Sequence, residues 1–277
     1  MHTIIFPGGR TVCPLGQGTW HMGDDPLRRK DEIRALQTGI DLGLTVIDTA
    51  EMYGDGRSES LVGEAIAGCR DAVFLVSKVL PSHADRQGTV RACEASLRRL
   101  KTEVLDLYLL HWSGAYPFAE TLAGMLDLHA QGKIRYWGVS NMDVTEMQGI
   151  YSVPKGNRCA TNQVLYNLSR RGIEYDLVPW CAARQLPIMA YSPVEQGRIL
   201  HHPALLSVAR RHDVSPAVVA LAWTLRKPDV LTIPKSGSEE HVRQNAQSLS
   251  LQLEAEDYAA LDAAFPAPRC KRPLELL

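Results

Sequence analysis

The chain has 277 residues, 45% apolar and 22% charged, which supplies a large core and excludes a disordered segment. Thirty Lys and Arg against thirty-one Asp and Glu leave a formal net charge of −1, excluding a global pull toward nucleic acid or an anionic membrane and confining any phosphate site to a local patch. No apolar run approaches the ~20 residues of a membrane span, and Met1 to Pro7 holds no charged segment followed by a long apolar one, so a cytoplasmic protein is expected.

In chain order, Thr3 to Phe6 and Thr11 to Cys13 read as two short strands joined by the turn Pro7-Gly8-Gly9-Arg10, a β-hairpin lid. Thereafter short apolar runs alternate with amphipathic stretches, and strand ends fall at Gly18, Asp48, Lys78, His111, Ser140, Gln163, Tyr191 and Pro234. Most of these ends lie about thirty residues apart, the length of one strand plus one helix. The last interval is longer because it holds two helical patterns, Pro203 to His212 and Ser215 to Lys227, which implies an accessory helix. Another helical pattern runs from Glu239 to Leu249, and the tail from Phe265 to Pro273 is interrupted by three prolines and cannot be helical throughout.

Strands that alternate with helices run parallel and are covered on both faces, so they must be apolar nearly throughout. Val46-Ile47, Val73 to Val76 and Leu105 to Leu110 have that character. Eight such strands predict an α/β fold, a closed (β/α)8 TIM barrel with an N-terminal β-hairpin and accessory helices, as one domain over residues 1–277. The rival, an open doubly wound sheet, normally carries a Gly-rich phosphate turn after its first strand, and neither GxGxxG nor GxxxxGK[ST] occurs.

Barrel enzymes draw their chemistry from the carboxyl ends of different strands. Asp48, Lys78 and His111 each follow an apolar strand, and Tyr53 lies in the loop beyond Asp48. Singly, each has a structural explanation: Asp48 and Lys78 as a buried ion pair, His111 as a satisfied core histidine, Tyr53 as a rim aromatic. Together they put four titratable groups at one mouth. A tyrosine of ordinary pKa near 10 is a reluctant acid, and a neighbouring Lys78 ammonium would lower that value. Asp48 would hold the lysine charged and oriented, and His111 would donate a hydrogen bond to the carbonyl oxygen that Tyr53 protonates.

Six cysteines, at 13, 69, 93, 159, 181 and 270, form no CxxC pair and read as reduced structural thiols. The histidines form no HxxxH or HExxH, so no metal site is expected, and His201-His202 read as an exposed loop or helix start before Pro203.

These motifs, in this order, resemble the aldo-keto reductase family from the hairpin to about Phe265, in particular its short prokaryotic aldehyde or methylglyoxal reductases. Val46 to Gly54 resembles the family's aspartate–tyrosine motif, Val76-Ser77-Lys78 its lysine strand, and Leu109-Leu110-His111-Trp112 its histidine strand. Gly132 to Asn141 resembles the fifth-strand signature, whose Ser140-Asn141 pair, with Gln163, would hold the nicotinamide carboxamide. The resemblance also implies that Gly18 and Thr19 border the cofactor, that Tyr191 stacks on the nicotinamide, and that Ser192 and the Glu195-Gln196-Gly197 loop wrap the pyrophosphate. Lys235, Ser236 and Ser238 at the start of the following helix would bind the adenosine phosphate, as hydroxyls, a lysine and free N–H groups suit an anion. His241 stands where many relatives carry an arginine and Gln244 where they carry glutamate, before Asn245, while Glu239 and Glu240 oppose a second negative charge. NADPH is therefore expected over NADH, with a weaker phosphate grip.

Trp20, Tyr53, His111 and Trp112 would line a comparatively open pocket for small aldehydes, α-oxoaldehydes such as methylglyoxal included; Trp112 could equally be core. A small-molecule carbonyl substrate, no nucleic-acid or membrane partner, and a monomer complete the expectation. Two alternatives use the same residues: a barrel aldolase forming a Schiff base at Lys78, and a cofactor-sensing regulatory subunit with little turnover.

Overall fold

The computed structural model describes residues 3–277. The N-terminal reading from Met1 therefore lies outside the described residues for its first two positions. Strands β1 (Ile4–Ile5) and β2 (Thr11–Val12) pair antiparallel, with Ile4 opposite Val12. Eight further strands form one parallel sheet in sequential order: β3 (Gln17–Gly18), β4 (Val46–Asp48), β5 (Phe74–Val79), β6 (Leu105–Leu110), β7 (Ile134–Ser140), β8 (Asn162–Leu165), β9 (Ile188–Tyr191) and β10 (Val230–Ile233).

The sheet closes on itself where β3 meets β10. Gly16 N–H donates to Thr232 O at 2.8 Å, Thr232 N–H to Pro14 O at 2.8 Å, and Gly18 N–H to Pro234 O at 3.0 Å. Glycine is required here, because a Cβ on Gly18 would lie 2.9 Å from the Ile233 carbonyl oxygen. Between the strands run α1 (Arg29–Asp41), α2 (Arg57–Ala65), α3 (Arg86–Leu100), α4 (Phe118–Ala130), α5 (Val144–Ser152) and α6 (Leu177–Ala182). Two helices, α7 (Pro203–Arg211) and α8 (Pro216–Leu225), fill the long last interval, and α9 (Glu239–Gln247) and α10 (Ala255–Ala264) follow β10. The barrel, its hairpin and the extra helix agree with the sequence expectation, and α10 is an addition to it.

The hairpin packs into the amino-terminal end of the barrel, opposite the mouth. Phe6 stacks on Phe74, the first residue of β5, at 4.8 Å between ring centroids, and Tyr136 lies 6.1 Å from Phe6. With Val46, Leu107 and Met189 these rings fill the barrel interior. Burying Phe6 alone contributes roughly 1.5–3 kcal/mol. One end of the barrel is thereby sealed, and polar strand ends are left to face the other.

The tail does more than trail away. Beyond α10 it runs past the loops after β7 and β8, where Lys271 approaches Asp176 at 3.5 Å and Glu275 pairs with Arg170 at 2.8 Å. Leu277 then presents a backbone group to the Tyr191 hydroxyl. The mouth, expected to be open on this side, is flanked by the tail. His202 caps α7 by accepting the Ala204 N–H through Nδ1 at 3.3 Å and packs on Phe265, while His201 is exposed, as its place before Pro203 suggests.

Candidate active site

Parallel barrels aim the carboxyl ends of all their strands at one face, so β4, β5 and β6 deliver Asp48, Lys78 and His111 side by side. Lys78 is fully buried and uses all three of its N–H bonds. Its Nζ donates to Asp48 Oδ2 at 2.8 Å, to the Thr49 carbonyl at 2.9 Å and to Tyr53 Oη at 3.1 Å. The second Asp48 oxygen accepts from Gln163 Nε2 at 2.8 Å, so the carboxylate is bonded on both sides. Tyr53 reaches this cluster because Ala50 to Tyr53 make a turn, with Tyr53 N–H bonded to the Ala50 carbonyl at 3.1 Å. Its ring meets His111 edge-to-face at 5.8 Å.

Burial alone would push the Lys78 pKa down, but the Asp48 carboxylate and the Tyr53 oxygen outweigh it and hold the pKa above its ordinary value. An amine that is charged and donates three hydrogen bonds has no free lone pair, which disfavours Lys78 as a Schiff-base nucleophile. Tyr53 corrects one expectation. Lys78 does pull its pKa down, yet burial is the larger influence and the net shift is upward, with Asp48 also raising it. The phenol therefore keeps its proton through neutral pH. His111 is driven to about 2, first by burial and then by the Lys78 charge, and is a neutral imidazole. Its Nδ1 is buried with no hydrogen-bond partner among the described residues, which is unlike a satisfied core histidine.

Next to this cluster lies the group expected to hold a carboxamide. Ser140 Oγ donates to the Gln163 carbonyl at 2.8 Å and accepts from Asn141 Nδ2 at 3.2 Å, and Asn141 Nδ2 also bonds the His111 carbonyl at 3.1 Å. Asn141 sits in the left-handed region at φ 59°, a conformation asparagine tolerates better than most side chains. Its Oδ1 accepts the Tyr191 hydroxyl at 3.0 Å, which fixes the half-buried Tyr191 ring at the end of β9. Thr19 departs from expectation. It is fully buried, and its hydroxyl bonds the Asp48 carbonyl at 2.9 Å and Ser58 Oγ at 2.8 Å, so its side chain scaffolds the site instead of facing a ligand.

After β9 the backbone turns left-handed at Ser192, Glu195, Gln196 and Gly197. Such turns gather N–H groups into anion-binding concavities, and each non-glycine residue in them costs of order 1–3 kcal/mol. The buried Glu195 carboxylate holds the loop in place by accepting from Asn167 at 2.8 Å, Arg170 at 2.9 Å and Arg198 at 2.8 Å. Glu195 is thus an anchor and not a phosphate ligand. Asn167 and Arg170 escaped the sequence reading, since nothing in their spacing connects them to a loop some 25 residues later.

Lys235, Ser236 and Ser238 lie at the start of α9, with Ser238 N–H bonded to Ser236 Oγ at 3.3 Å. Glu239 is engaged with Thr38 Oγ1 at 3.2 Å and Arg34 at 3.4 Å, which removes much of its expected opposition to an anion. Gln244 donates to Glu240 on its own helix at 3.3 Å, Asn245 is half-buried, and His241 is exposed. Around the mouth, Trp20 is partly exposed against His21, and Trp112 packs on His111 at 4.8 Å while half-buried. Among the described residues no cluster of His, Cys, Asp and Glu could hold a metal ion, and all six cysteines are unpaired. No helix among them is long and apolar enough to cross a membrane.

A parallel eight-stranded barrel, sealed below by a hairpin and carrying Asp, Tyr, Lys and His at its mouth, defines the class as a barrel oxidoreductase. The chain belongs to the Aldo/keto reductase family, whose family model matches residues 14–265. It is 53% identical over 279 residues to methylglyoxal reductase YeaE of Escherichia coli (strain K12), covering 99% of this chain and 98% of that one. Its fold superimposes with a TM-score of 0.98 on an aldo/keto reductase from Klebsiella pneumoniae in complex with NADP and acetate, 50% identical, covering 100% of this chain and 99% of that chain. Tm1743, a thermostable aldo-keto reductase in complex with the inhibitor epalrestat, superimposes at 0.87 with 36% identity, covering 95% of this chain and 99% of that chain.

Proposed function

We propose that the protein reduces small aldehydes and ketones, α-oxoaldehydes such as methylglyoxal among them, to alcohols with NADPH, and that Tyr53 is the general acid. One observation carries the reading: Lys78 donates at once to Asp48 and to the Tyr53 hydroxyl, so the single buried cation of the cluster bears directly on the single phenol. When bound, the reduced nicotinamide supplies hydride to the carbonyl carbon.

The chain's own residues do the rest. The substrate oxygen lies between Tyr53 Oη and the neutral His111 ring, which donates an N–H to it. Negative charge growing on that oxygen makes it far more basic than a phenolate. Tyr53 then gives up its proton, despite a pKa that burial holds high, and Lys78 stabilises the phenolate left behind. Asp48, fixed by Gln163, keeps the ammonium aimed at Tyr53 through the transfer. Ser140, Asn141 and Gln163 would orient the carboxamide and Tyr191 would lie against the ring, while the 192–197 loop, Lys235, Ser236 and Ser238 would hold the phosphates. The Escherichia coli relative's action on methylglyoxal and the NADP complex of the Klebsiella pneumoniae relative support the substrate class and the cofactor.

The test is NADPH consumption over a panel of small aldehydes, run beside Tyr53→Phe. The variant is expected to lose roughly 10²- to 10⁴-fold in kcat, with NADPH affinity kept within about twofold. A Tyr53→Phe enzyme as active as the parent refutes the acid, and tight NADPH binding without turnover on any aldehyde supports the regulatory alternative.

A further inference from the structure

The start of α1 breaks a local rule. Arg28 occupies the N-cap position, makes no capping bond, and begins the run Arg28-Arg29-Lys30, although the positive end of a helix dipole disfavours cations. Its neighbours resolve their charges. Arg29 pairs with Glu64 at 2.9 Å, Arg34 with Asp31 and Glu239, and Arg57 with Asp24 at 3.2 Å. Arg28 is exposed and has no carboxylate partner among the described residues. The first turn of α1 carries Asp31 and Glu32, but neither forms an ion pair with Arg28, which leaves its guanidinium available to an anion.

The position of the guanidinium says which ligand. Helix α1 packs against α9, and a Cβ on Gly237 would lie 3.3 Å from Arg28 Nη2 and 3.1 Å from Glu32 Cγ. Glycine at 237 is what lets Arg28 lie directly over the turn that carries Lys235, Ser236 and Ser238. Lys235 is likewise without a carboxylate partner among the described residues, and its pKa is drawn down by partial burial and by the Arg28 charge, with Glu32 and Asp24 opposing. Two cations therefore border the same turn, in company with Glu32, whose charge acts on Lys235 more strongly than that of Arg28. The acids around them are engaged: Asp24 with Arg57 and His21, Glu239 with Arg34 and Thr38, and buried Glu32 with the Gly23 N–H at 2.9 Å. Ser238 makes no side-chain cap, so the first-turn N–H groups of α9 also face outward without a side-chain acceptor.

We infer that Arg28 is a specificity-determining residue that clamps the 2′-phosphate of the cofactor against Lys235, Ser236 and Ser238, taking the place of a cation at position 241. The inference rests on the proposal that NADPH is the cofactor. A 2′-phosphate between the two cations relieves their mutual repulsion, and NADH, which has only hydroxyls there, leaves that repulsion in place.

The test is calorimetric binding of adenosine 2′,5′-bisphosphate and 5′-AMP, and of NADP+ and NAD+, to the intact protein, Arg28→Ala and Arg28→Lys. Melting curves of the two variants, substituted at an exposed site, check that both are folded. Arg28→Ala is expected to bind adenosine 2′,5′-bisphosphate and NADP+ roughly 10- to 100-fold more weakly, the span of one charge-assisted hydrogen bond. Its affinity for 5′-AMP and NAD+ stays within about twofold, and Arg28→Lys recovers part of the loss by restoring charge without the planar fork. If the parent protein prefers NADP+ and Arg28→Ala keeps that preference, or loses NAD+ equally, Arg28 has no such role. If the parent protein shows no preference for the 2′-phosphate at all, the NADPH reading fails and this inference with it.

Discussion

Replacing Lys78 by methionine keeps the length of the side chain and removes its charge together with the three bonds to Asp48, the Thr49 carbonyl and Tyr53. Asp48, only 2% exposed, would retain one bond, from Gln163, and a buried negative charge with no counterion. Breaking one side of a buried ion pair costs about 3–5 kcal/mol. At about 2–4 °C per kcal/mol for a chain of this size, the melting temperature should fall by roughly 6 to 20 °C. Adding Asp48→Asn removes the stranded charge while leaving an acceptor for Gln163, so the double variant should regain about 2 kcal/mol or more. Activity should behave differently. Both variants lack the cation facing Tyr53, and both should remain at least roughly 10²-fold down in kcat. Urea titration and NADPH-coupled turnover on the same samples separate the two readouts. A Lys78→Met protein as stable as the parent, or a double variant no more stable than the single one, would refute the account of the cluster as an ion pair retained at a cost for catalysis.

Other consequences are checked more simply. His111 has its pKa lowered from an ordinary 6.5 to about 2, so the unfolded chain binds a proton that the folded one refuses. Stability should therefore fall as pH drops below about 6.5, by about 2–3 kcal/mol at pH 4.5 from this group alone, and chemical denaturation of His111→Gln should show a flatter slope across that window. Glu195→Gln weakens the bonds from Arg170, Arg198 and Asn167 that hold the left-handed loop. NADPH affinity measured by fluorescence titration should drop roughly tenfold, with kcat at saturating cofactor little changed; a large fall in kcat with unchanged affinity would contradict the anchoring role.

The legible parts of the fold were those with a repeated physical signature. Strands covered on both faces must be apolar, which is why Val46-Ile47 and Leu105 to Leu110 marked the barrel and why Asp48 and His111 stood out as interruptions. Gln163 is two residues short of the true end of β8 because Val164 and Leu165 continue the strand behind it. Helix α10 was illegible for the opposite reason: only Asp257 and Leu261 of its ten residues are buried, too narrow a stripe for a helical period. Ion pairs between distant residues leave no periodic trace. Arg170 with Glu275 and with Glu195, and Arg28 over Gly237, appear only once the chain is folded. The protonation state of Tyr53 was half legible. Its lysine neighbour could be read, and the greater influence of burial could not.

The same cation bears on every group around it. Lys78 keeps Asp48 paired, helps to hold His111 neutral, and makes removal of the Tyr53 proton less costly than burial alone would allow. The result is a site of no net charge, Asp48 against Lys78, with two neutral hydrogen-bond donors facing the mouth. A neutral site suits a substrate that arrives uncharged and becomes an anion only as hydride reaches it, because donors that carry no counter-charge of their own gain strength as that charge develops. An aspartate or glutamate in place of Tyr53, with an ordinary pKa near 4 and an ammonium beside it, would have lost its proton at neutral pH and could not donate it. A phenol 3.1 Å from the ammonium keeps its proton at neutral pH and still has a cation at hand for the phenolate, and this is the physical reason for a tyrosine at position 53.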